Sequence, residues 1–436
     1  MKKEPNKYVL RNAVILDGTE AMEPKKGYSV FVEDENIVRI AADAELDAEA
    51  LEGWETVDLA GKFLMPGLIN LHVHLPAGGK PKKKERDNAK TVRLVTATAA
   101  GRAILKEVCA SFAKTELLSG VTTLRTVGGV MNVDSTLRDE IAAGKRVGPR
   151  IIASNMAVSV PGGHMAGSLA YEATSAAEAR EYVRVIATGG PDLIKLMITG
   201  GVLDAKKKGE PGELKMPAEY VAAACKEAHR LGLKVAAHVE STEGVRVALR
   251  GGVDSIEHGA EPDAEILRLF KENGAFQVST ISPALPYALF DREISGASEM
   301  SQYNGMVVFK GIIDLAKALL AEGVPVGLGT DTGCPYITHY DMWRELYYFK
   351  KYCGVTPAFS LYSATLQNAR LLGLDSVIGS VEEGKIADLI VCDGNPLEDL
   401  SVLRKLSMVI ARGKRIADPA PKKMPQVERE LDKFLD

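Results

Sequence analysis

From Met65 onward the sequence alternates short apolar runs with longer helix-like segments, and this alternation restricts the fold more than any other feature. The eight runs read GLINLHVHL, GVTTLRTVG, PRIIASNMAV, DLIKLMITGG, LKVAAHVES, VDSIEHGA, AFQVSTIS and VPVGLGTDTG. Helix-like segments between them include Thr91–Leu118, Ser175–Thr188, Pro217–Leu231, Asp263–Asn273 and Gln302–Glu322. Eight strands that alternate with helices are typical of a (β/α)8 barrel, an α/β fold whose active site lies where the strands end.

The first run ends in two histidines, His72 and His74. Residues two positions apart in a strand point to the same face, so both imidazoles should face one point. The apolar residues before them are typical of a parallel strand that is buried on both sides. The pair therefore indicates a metal site, although two hydrogen-bonded histidines of a protein core would give the same pattern.

Later runs contribute further polar residues of the same kind. The fifth run ends in His238, the sixth in His258 and the eighth in Asp331, while the fourth is predicted to end in Lys195. Imidazole nitrogens and carboxylate oxygens are ligands that zinc accepts. A protonated lysine has no lone pair to donate, and burying it is costly unless it is paired or chemically altered. A salt bridge from Lys195 to Asp331 is the structural alternative.

Composition restricts the class of protein. A chain of 436 residues is long enough for a barrel with an appended domain, and its 46% hydrophobic and 26% charged content is ordinary for a globular enzyme. The net charge of −4 shows no excess of basic residues of the kind that nucleic-acid binding requires. The first residues lack the apolar core of a signal peptide, and no apolar run reaches membrane-spanning length. Five cysteines without a CxxC motif predict free thiols and a cytoplasmic location.

The stretch before the first run, from Tyr8 to about Leu64, is different in character. It consists of short strand-like runs, with turn signals at Asp17-Gly18 and at Asp34–Asn36. No residue pattern in it indicates catalysis. We expect this stretch to form a small β-structure.

Taken in order, the two histidines of the first run, Lys195, His238, His258 and Asp331 resemble the ligand set of the amidohydrolase superfamily. Within it, PGLINLHVH, PGGH at 161–164, DLIKLMITGG, SIEHG at 255–259 and LGTDTG are similar to the imidazolonepropionase-like branch, which includes metal-dependent Xaa-Pro dipeptidases. NAR at 368–370 and the following IGSVEEGKIADLIVCDGNPLEDL resemble the C-terminal signature of that branch. The resemblance implies a hydrolase barrel over residues 65–373. It also implies a small β-sandwich that residues 1–64 begin and residues 374–436, with a tail, complete.

The resemblance also implies a cofactor. Two divalent metal ions, with zinc as the first candidate, would be bridged by Lys195 in carboxylated form. The remaining ligands would divide into His72, His74 and Asp331 for one ion and His238 and His258 for the other. A hydroxide between the ions would attack an amide carbonyl, because metal ions lower the pKa of a bound water. Asp331 would shuttle the proton to the leaving nitrogen, although an aspartate after a glycine-rich turn also suits a helix start.

Four further residues are candidates for contact with the substrate. His164, in PGGH, lies in the pocket of this branch and could act on a substrate carbonyl or carboxylate, or else be a solvated loop residue. Tyr336 and His339 follow the eighth run, where loop aromatics also serve packing. Glu240 stands where dipeptidase relatives often have tyrosine or histidine, and it would favour a cationic substrate group or form a salt bridge.

Two basic loops are predicted on the active-site face. The first contains Lys80, Lys82, Lys83, Lys84 and Arg86, and the second contains Lys206, Lys207 and Lys208. In a chain of net negative charge they could attract an anionic substrate, although solvated lysines on loops are the simpler interpretation.

The expected function is metal-dependent hydrolysis of an amide bond in a small molecule, a dipeptide or N-acyl amino acid with a free carboxylate. The alternative within hydrolases is a cyclic-amide hydrolase like imidazolonepropionase, or a deaminase. A non-catalytic scaffold of the same fold is disfavoured because no metal ligand is missing. No nucleic acid or membrane partner is expected. A homo-oligomer agrees with the resemblance, but no sequence feature specifies one.

Overall fold

The structure is a computed structural model that describes residues 6–81 and 87–435. The described residues divide into two compact units. Unit 1 comprises the segments up to Asn70, Thr115–Thr123 and Tyr340–Lys422, and unit 2 comprises Leu71–Lys114, Leu124–His339 and the residues from Lys423 onward. In the described part of the chain, no helix combines the length and hydropathy that crossing a membrane requires.

Strands and helices are numbered in chain order. The strands are β1 (Lys7–Arg11), β2 (Val14–Ile15), β3 (Tyr28–Glu33), β4 (Asn36–Ala42), β5 (Glu55–Asp58), β6 (Phe63–Pro66), β7 (Leu68–Val73), β8 (Val121–Thr126), β9 (Arg150–Ile152), β10 (Ala157–Ser159), β11 (Ala170–Glu172), β12 (Leu193–Met197), β13 (Lys234–Val239), β14 (Ser255–His258), β15 (Phe276–Ser279), β16 (Val326–Leu328), β17 (Leu389–Cys392), β18 (Leu406–Ala411) and β19 (Lys414–Ala417). The helices are α1 (Asn88–Thr96), α2 (Ala99–Leu118), α3 (Val133–Ala142), α4 (Ala176–Ala187), α5 (Ala218–Arg230), α6 (Thr242–Gly251), α7 (Ala264–Asn273), α8 (Ile281–Leu289), α9 (Arg292–Ser295), α10 (Glu299–Ala321), α11 (Met342–Cys353), α12 (Pro357–Tyr362), α13 (Asn368–Leu371) and α14 (Pro425–Leu431).

A parallel sheet of seven strands dominates unit 2. Its order is β11-β10-β12-β13-β14-β15-β16, and every pairing from β10 to β16 is parallel. Helices α4 to α7 alternate with its strands, which confirms the predicted α/β class. A further sheet has the order β7-β8-β9. All six residues of β7 are buried, as its apolar sequence predicts.

The end of β7 is joined to the segment that follows β16. Val73 pairs with Thr332 in an isolated parallel bridge, and the amide of His74 donates to the Thr332 carbonyl at 3.1 Å. The amide of Asp331 donates to the His72 carbonyl at 2.8 Å. The first and last predicted strands are therefore neighbours, as they would be in a barrel.

Most of the quoted helix predictions agree with the structure within three residues at each end. The exception is Thr91–Leu118, which was expected as one helix and is divided into α1 and α2. The Thr98 hydroxyl accepts from the Gly101 amide at 3.0 Å, so Thr98 caps the start of α2. A threonine that can accept from a backbone amide offers an alternative to continuing the helix, and this explains the break.

The third predicted run is also divided. PRIIASNMAV forms β9 and β10, and Asn155 between them has a left-handed φ of 59°. Asparagine tolerates this conformation better than most residues, and it interrupts the extended backbone. The extra strand β11 pairs with β10 in parallel and was not predicted.

Unit 1 contains two sheets that draw on both ends of the chain. The sheet β4-β3-β1-β5 uses N-terminal strands alone, and the hairpin between β3 and β4 turns at Asp34, which has a φ of 53°. The other sheet, β19-β18-β17-β6-β2, combines two N-terminal with three C-terminal strands. Apolar residues of both sheets share one buried cluster that includes Tyr8, Val30, Leu389 and Ile410. The predicted return of the C-terminal segment to the N-terminal strands is thus present as a shared sheet.

Candidate active site at the strand ends of unit 2

A cavity of about 280 Å³ opens within unit 2, and the metal-ligand candidates lie on its wall. His72 belongs to β7 and His74 follows that strand, whereas His238 and His258 lie at the ends of β13 and β14. Asp331 comes three residues after β16. Because the strands are parallel, their carboxyl ends bring these side chains together. The cavity is lined by all six predicted ligands, namely His72, His74, Lys195, His238, His258 and Asp331.

His72 and His74 converge on Asp331. The Oδ1 atom of Asp331 lies 3.3 Å from Nε2 of His72 and 3.2 Å from Nε2 of His74. The other ring nitrogens face away: Nδ1 of His74 is 2.8 Å from the Gly128 carbonyl oxygen and Nδ1 of His72 is 2.8 Å from Glu257. Since a carbonyl can only accept, Nδ1 of His74 carries the proton and Nε2 keeps its lone pair for a ligand.

His238 and His258 are fixed in the same way. Nε2 of His238 donates to the Gly200 carbonyl at 3.2 Å, which leaves its Nδ1 free, and Nδ1 of His258 lies 2.7 Å from the Thr280 hydroxyl. Donor atoms of His72, His258 and Asp331 lie within 4.8 Å of one another, as do those of His238, Glu240 and His258. Two overlapping groups of nitrogen and carboxylate donors therefore fit divalent metal ions.

Electrostatics favour the protonation states that metal ligands need. Burial, with the neighbouring His164 and His258, holds the pKa of His238 well below its usual range. Burial and His72 likewise lower the pKa of His258. Burial alone would raise the pKa of Asp331, but the adjacent imidazoles outweigh it and hold that pKa well below its usual range. Neutral imidazole and ionised carboxylate are the forms that bind metal.

Lys195 lies in the middle of β12, not at its end as predicted, and it is 1% exposed. Its Nζ atom has no hydrogen-bond partner among the described residues, so the expected alternative of a salt bridge to Asp331 is not formed. Burial lowers the pKa of Lys195 to about 8. An amine that is buried without a partner is costly.

Backbone strain marks two of the candidate ligands. His258 has a φ of 66° and Asp331 a φ of 55°, in the left-handed region that residues with a side chain rarely adopt. Gly329 lets this segment approach β7 closely, because a Cβ atom there would lie 2.6 Å from both the amide nitrogen and the Cβ of His72. The turn after β16 is therefore shaped to bring Asp331 against His72.

Sequence reasoning missed a buried ion pair behind His72. The Arg125 guanidinium binds both carboxylate oxygens of Glu257, at 2.7 and 2.9 Å, and Nε of Arg125 donates to the Leu71 carbonyl at 2.7 Å. Burial would raise the pKa of Glu257, but Arg125 and His72 outweigh it and keep the carboxylate ionised. The available signal was one charge of each sign inside apolar runs, VTTLRT and SIEH, since such charges must pair when buried.

His164 lines the cavity and is held by Asp204, which the sequence did not single out. Nδ1 of His164 lies 2.5 Å from Oδ2 of Asp204, and the Gly201 amide donates to the same oxygen at 2.9 Å. The His164 ring stacks on His238 with centroids 4.0 Å apart. With Nδ1 engaged by Asp204, Nε2 of His164 remains for a substrate.

Glu240 also lines the cavity, two residues beyond His238. Its backbone amide donates to the Thr199 hydroxyl at 3.0 Å, while its Oε2 atom is excluded from solvent and has no hydrogen-bond partner among the described residues. Burial raises the pKa of Glu240 to about 8, and the carboxylates of Asp331 and Asp204 act in the same direction. The expected alternative, a salt bridge, is not formed.

Tyr336 and His339 do not belong to the described cavity wall. The Tyr336 hydroxyl donates to the Ile294 carbonyl at 2.8 Å, and Nε2 of His339 lies 2.8 Å from the Ala77 carbonyl oxygen. The His339 ring stacks on Phe112. Both side chains are buried and support the loops around the cavity, so the structure does not bring them to the predicted substrate contacts.

The second basic loop is exposed and largely paired. Lys207 lies 3.2 Å from Glu210, and Lys208 lies 2.8 Å from Glu299. Of the first loop, Lys80 is exposed. Lys82, Lys83, Lys84 and Arg86 lie outside the described residues. Attraction of an anionic substrate by these loops stays a prediction.

Histidines and a carboxylate at the carboxyl ends of parallel strands, beside a lysine buried within β12, are the arrangement expected of a metal-dependent hydrolase with an α/β fold. The chain belongs to the amidohydrolase family, whose model matches residues 63–416. It is therefore a hydrolytic enzyme of the amidase type.

Individual relatives agree with this assignment. Ochratoxinase from Aspergillus niger is 26% identical over 409 residues, which cover 88% of this chain and 81% of the relative. A solved structure from Bifidobacterium longum is 35% identical, with a TM-score of 0.86 and coverage of 98% of both chains. A Xaa-Pro dipeptidase with methionine bound in its active site is 30% identical, with a TM-score of 0.81, over 94% of this chain and all of that one.

Proposed function

We propose that this protein is a binuclear metal-dependent hydrolase that cleaves the amide bond of a small substrate, a dipeptide or an N-acyl amino acid. One observation carries the proposal: four imidazoles and the Asp331 carboxylate line one cavity together with Lys195, whose Nζ atom has no hydrogen-bond partner among the described residues. This donor set suits two divalent ions, of which zinc is the first candidate.

The two ions would divide the ligands by position. His72, His74 and Asp331 would hold one ion, and His238 and His258 the other, with Lys195 in carboxylated form between them. Carboxylation replaces an amine that cannot ligate with two oxygen donors, which removes the cost of the buried, unpartnered Nζ. When bound, the ions would lower the pKa of a water and polarise the amide carbonyl.

The protein's own residues carry the remaining chemistry. Asp331 takes a proton from the attacking water and delivers it to the leaving nitrogen, so that the amide yields a carboxylic acid and an amine. His164, held by Asp204, presents Nε2 to the substrate. The described cavity wall contains no arginine, and Lys195 is its single lysine, which supports His164 as the residue that would meet a substrate carboxylate.

The architecture that we propose for this chemistry is a closed (β/α)8 barrel over residues 65–373. The bridge between Val73 and Thr332 supports closure, because it joins the first barrel strand to the segment that directly follows the last one. Residues 1–64 and 374–436 would form the β-sandwich, and their shared sheet supports this. The cytoplasmic location and a homo-oligomer stay predictions.

A substrate screen tests the proposal. Metal-loaded protein is incubated with dipeptides and N-acyl amino acids, and freed amino acids are detected, with chelator-treated protein as the control. We expect release from a subset of the panel that depends on metal. No release with both metals present would contradict the proposal. Ammonia release, or ring opening of a cyclic amide without a second product, would then identify the deaminase or imidazolonepropionase-like activity.

A further inference from the structure

The cavity holds one carboxylate, Glu240, that the proposed ligand set and the proposed proton transfer both leave unused, although it lies close enough to His238 and His258 to share an ion with them. Glu240 directly follows β13, its backbone amide donates a hydrogen bond to the Thr199 hydroxyl, and Gly212 packs directly on its backbone. Its Oε2 atom is excluded from solvent and has no hydrogen-bond partner in the described structure. A carboxylate oxygen buried in this way is costly unless a cation or a hydrogen-bond donor meets it.

The position of Glu240 relative to the histidines suggests which cation that is. One of its carboxylate oxygens lies within 4.8 Å of a ring nitrogen of His238 and of a ring nitrogen of His258. If the proposed function holds, the substrate carbonyl is polarised at these two histidines. In an aminoacyl group the α-amine is attached to the carbon next to that carbonyl, so a carbonyl bound there places the amine within reach of Glu240.

We propose that Glu240 binds the free α-ammonium group of the substrate and thereby selects aminoacyl amides, such as dipeptides, over N-acyl amino acids. This inference rests on the proposed function and decides between its two substrate classes. A charge-assisted hydrogen bond to the ammonium satisfies the buried Oε2 atom. The acyl group of an N-acyl amino acid carries no ammonium next to the carbonyl, so it would leave the carboxylate unpaired.

The cavity wall also indicates the side chain next to that amine. Met165, Val202, Leu203, Pro283 and Tyr287 line the cavity and are mainly apolar. Burying apolar surface against such a wall is favourable, so leucine is a suitable acyl residue for a test. Its des-amino analogue, 4-methylpentanoate, differs from leucine only in lacking the amine.

The test compares these two ligands in the zinc-loaded, full-length protein. Calorimetry measures binding of L-leucine and of 4-methylpentanoate, and hydrolysis of L-leucyl-L-leucine is compared with that of 4-methylpentanoyl-L-leucine. Each is measured in the wild type, in Glu240→Gln and in Glu243→Gln. Glu243 is the matched control because it lies three residues further on, is exposed, and is absent from the described cavity wall. Metal content is determined for every variant.

We expect the wild type to bind leucine ~10- to 100-fold more tightly than 4-methylpentanoate, the usual contribution of a hydrogen bond to a charged group. Glu240→Gln should abolish this preference while it keeps both metals and its affinity for 4-methylpentanoate. Glu243→Gln should behave like the wild type. The same preference should appear in the second-order rate constants of the two leucine amides.

Three results would overturn the inference. The wild type could show no preference for leucine, which includes binding neither ligand. The preference could survive in Glu240→Gln. Glu240→Gln could lose one metal ion, which would make Glu240 a ligand of the ion at His238 and His258. Failure of the proposed function can be distinguished from failure of this inference. It would appear as no hydrolysis of any amide in the panel, whereas the preference for leucine is measured by binding and does not require hydrolysis.

Discussion

At the scale of single residues, the site depends on how each side chain is held. Asp331 has two imidazoles within 3.3 Å of one oxygen and a left-handed backbone that directs it toward them. In each of the four histidines, one ring nitrogen forms a hydrogen bond with another protein group. This arrangement fixes the orientation of each ring before any ligand binds, and preorganisation of this kind is what metal sites require.

Replacing Asp331 with asparagine should separate metal binding from catalysis. The amide keeps the shape and an oxygen ligand but cannot accept the proton of the attacking water. We expect turnover to fall by ~10²- to 10⁴-fold, the usual contribution of a general base, while most of the metal stays bound. Steady-state kinetics with metal analysis of the same sample checks this. Turnover close to that of the wild type would remove Asp331 from the mechanism.

Replacing Arg125 with methionine should damage both stability and metal affinity. The change leaves the Glu257 carboxylate buried without its partner, which costs about 3–5 kcal/mol of unfolding free energy. It also disturbs the Glu257 carboxylate, which orients the His72 ring, and we expect metal affinity to fall ~10- to 100-fold. Urea unfolding and competitive metal titration measure the two effects.

A double variant serves as the control for this pair. Arg125→Met combined with Glu257→Gln removes both charges, so it should recover part of the stability that the single change loses. If Arg125→Met unfolds at the same urea concentration as the wild type, the ion pair contributes nothing and our account of it is wrong.

At the scale of elements, strand ends and the turns after them position the chemistry. The histidines and Lys195 were predictable because they interrupt apolar runs whose order already indicated successive strands. The exact positions of residues within the strands were harder to predict. Lys195 lies within β12 and not at its end, and the third run is broken at Asn155. Apolar periodicity indicates that a strand exists, but local hydrogen bonds and left-handed residues decide where it begins and ends.

The partners of the ligands were harder to predict than the ligands. Arg125 and Glu257 are 132 residues apart, and His164 and Asp204 are 40 residues apart. Both pairs form only because the fold brings together strands, or the loops after them, that are distant in sequence. His339 and Tyr336 were predicted to contact the substrate because they follow a strand end. In the structure both bind backbone carbonyls, and their contact with a substrate stays a prediction.

Substituting Gly329 with alanine tests the turn after β16. The added Cβ would meet the backbone and Cβ of His72 at 2.6 Å, so β16 and β7 must move apart. We expect weaker metal binding together with a loss of stability. Gly323→Ala is the control, because its Cβ would meet nothing within 4 Å although its φ of 68° is strained. Unchanged metal affinity in Gly329→Ala would show that close approach is not needed.

At the scale of the whole molecule, the family assignment and the α/β class followed from the order of motifs along the chain, and the match over residues 63–416 agrees with them. Sequence alone could not give the substrate, because the substrate is selected by a cavity wall drawn from many separate segments. The charges on that wall could be assigned only from the structure, in which the Oε2 atom of Glu240 has no hydrogen-bond partner among the described residues and the described wall contains no arginine.

The most direct test of the account is the metal content of the protein. Full-length protein loaded with zinc in the presence of bicarbonate, freed of excess metal, is measured by elemental analysis against protein concentration. Two zinc ions per chain are predicted, with a lower value in the Lys195→Ala variant because the bridging ligand is lost. A content of one ion or fewer in the fully loaded wild type would contradict the binuclear site and the mechanism built on it.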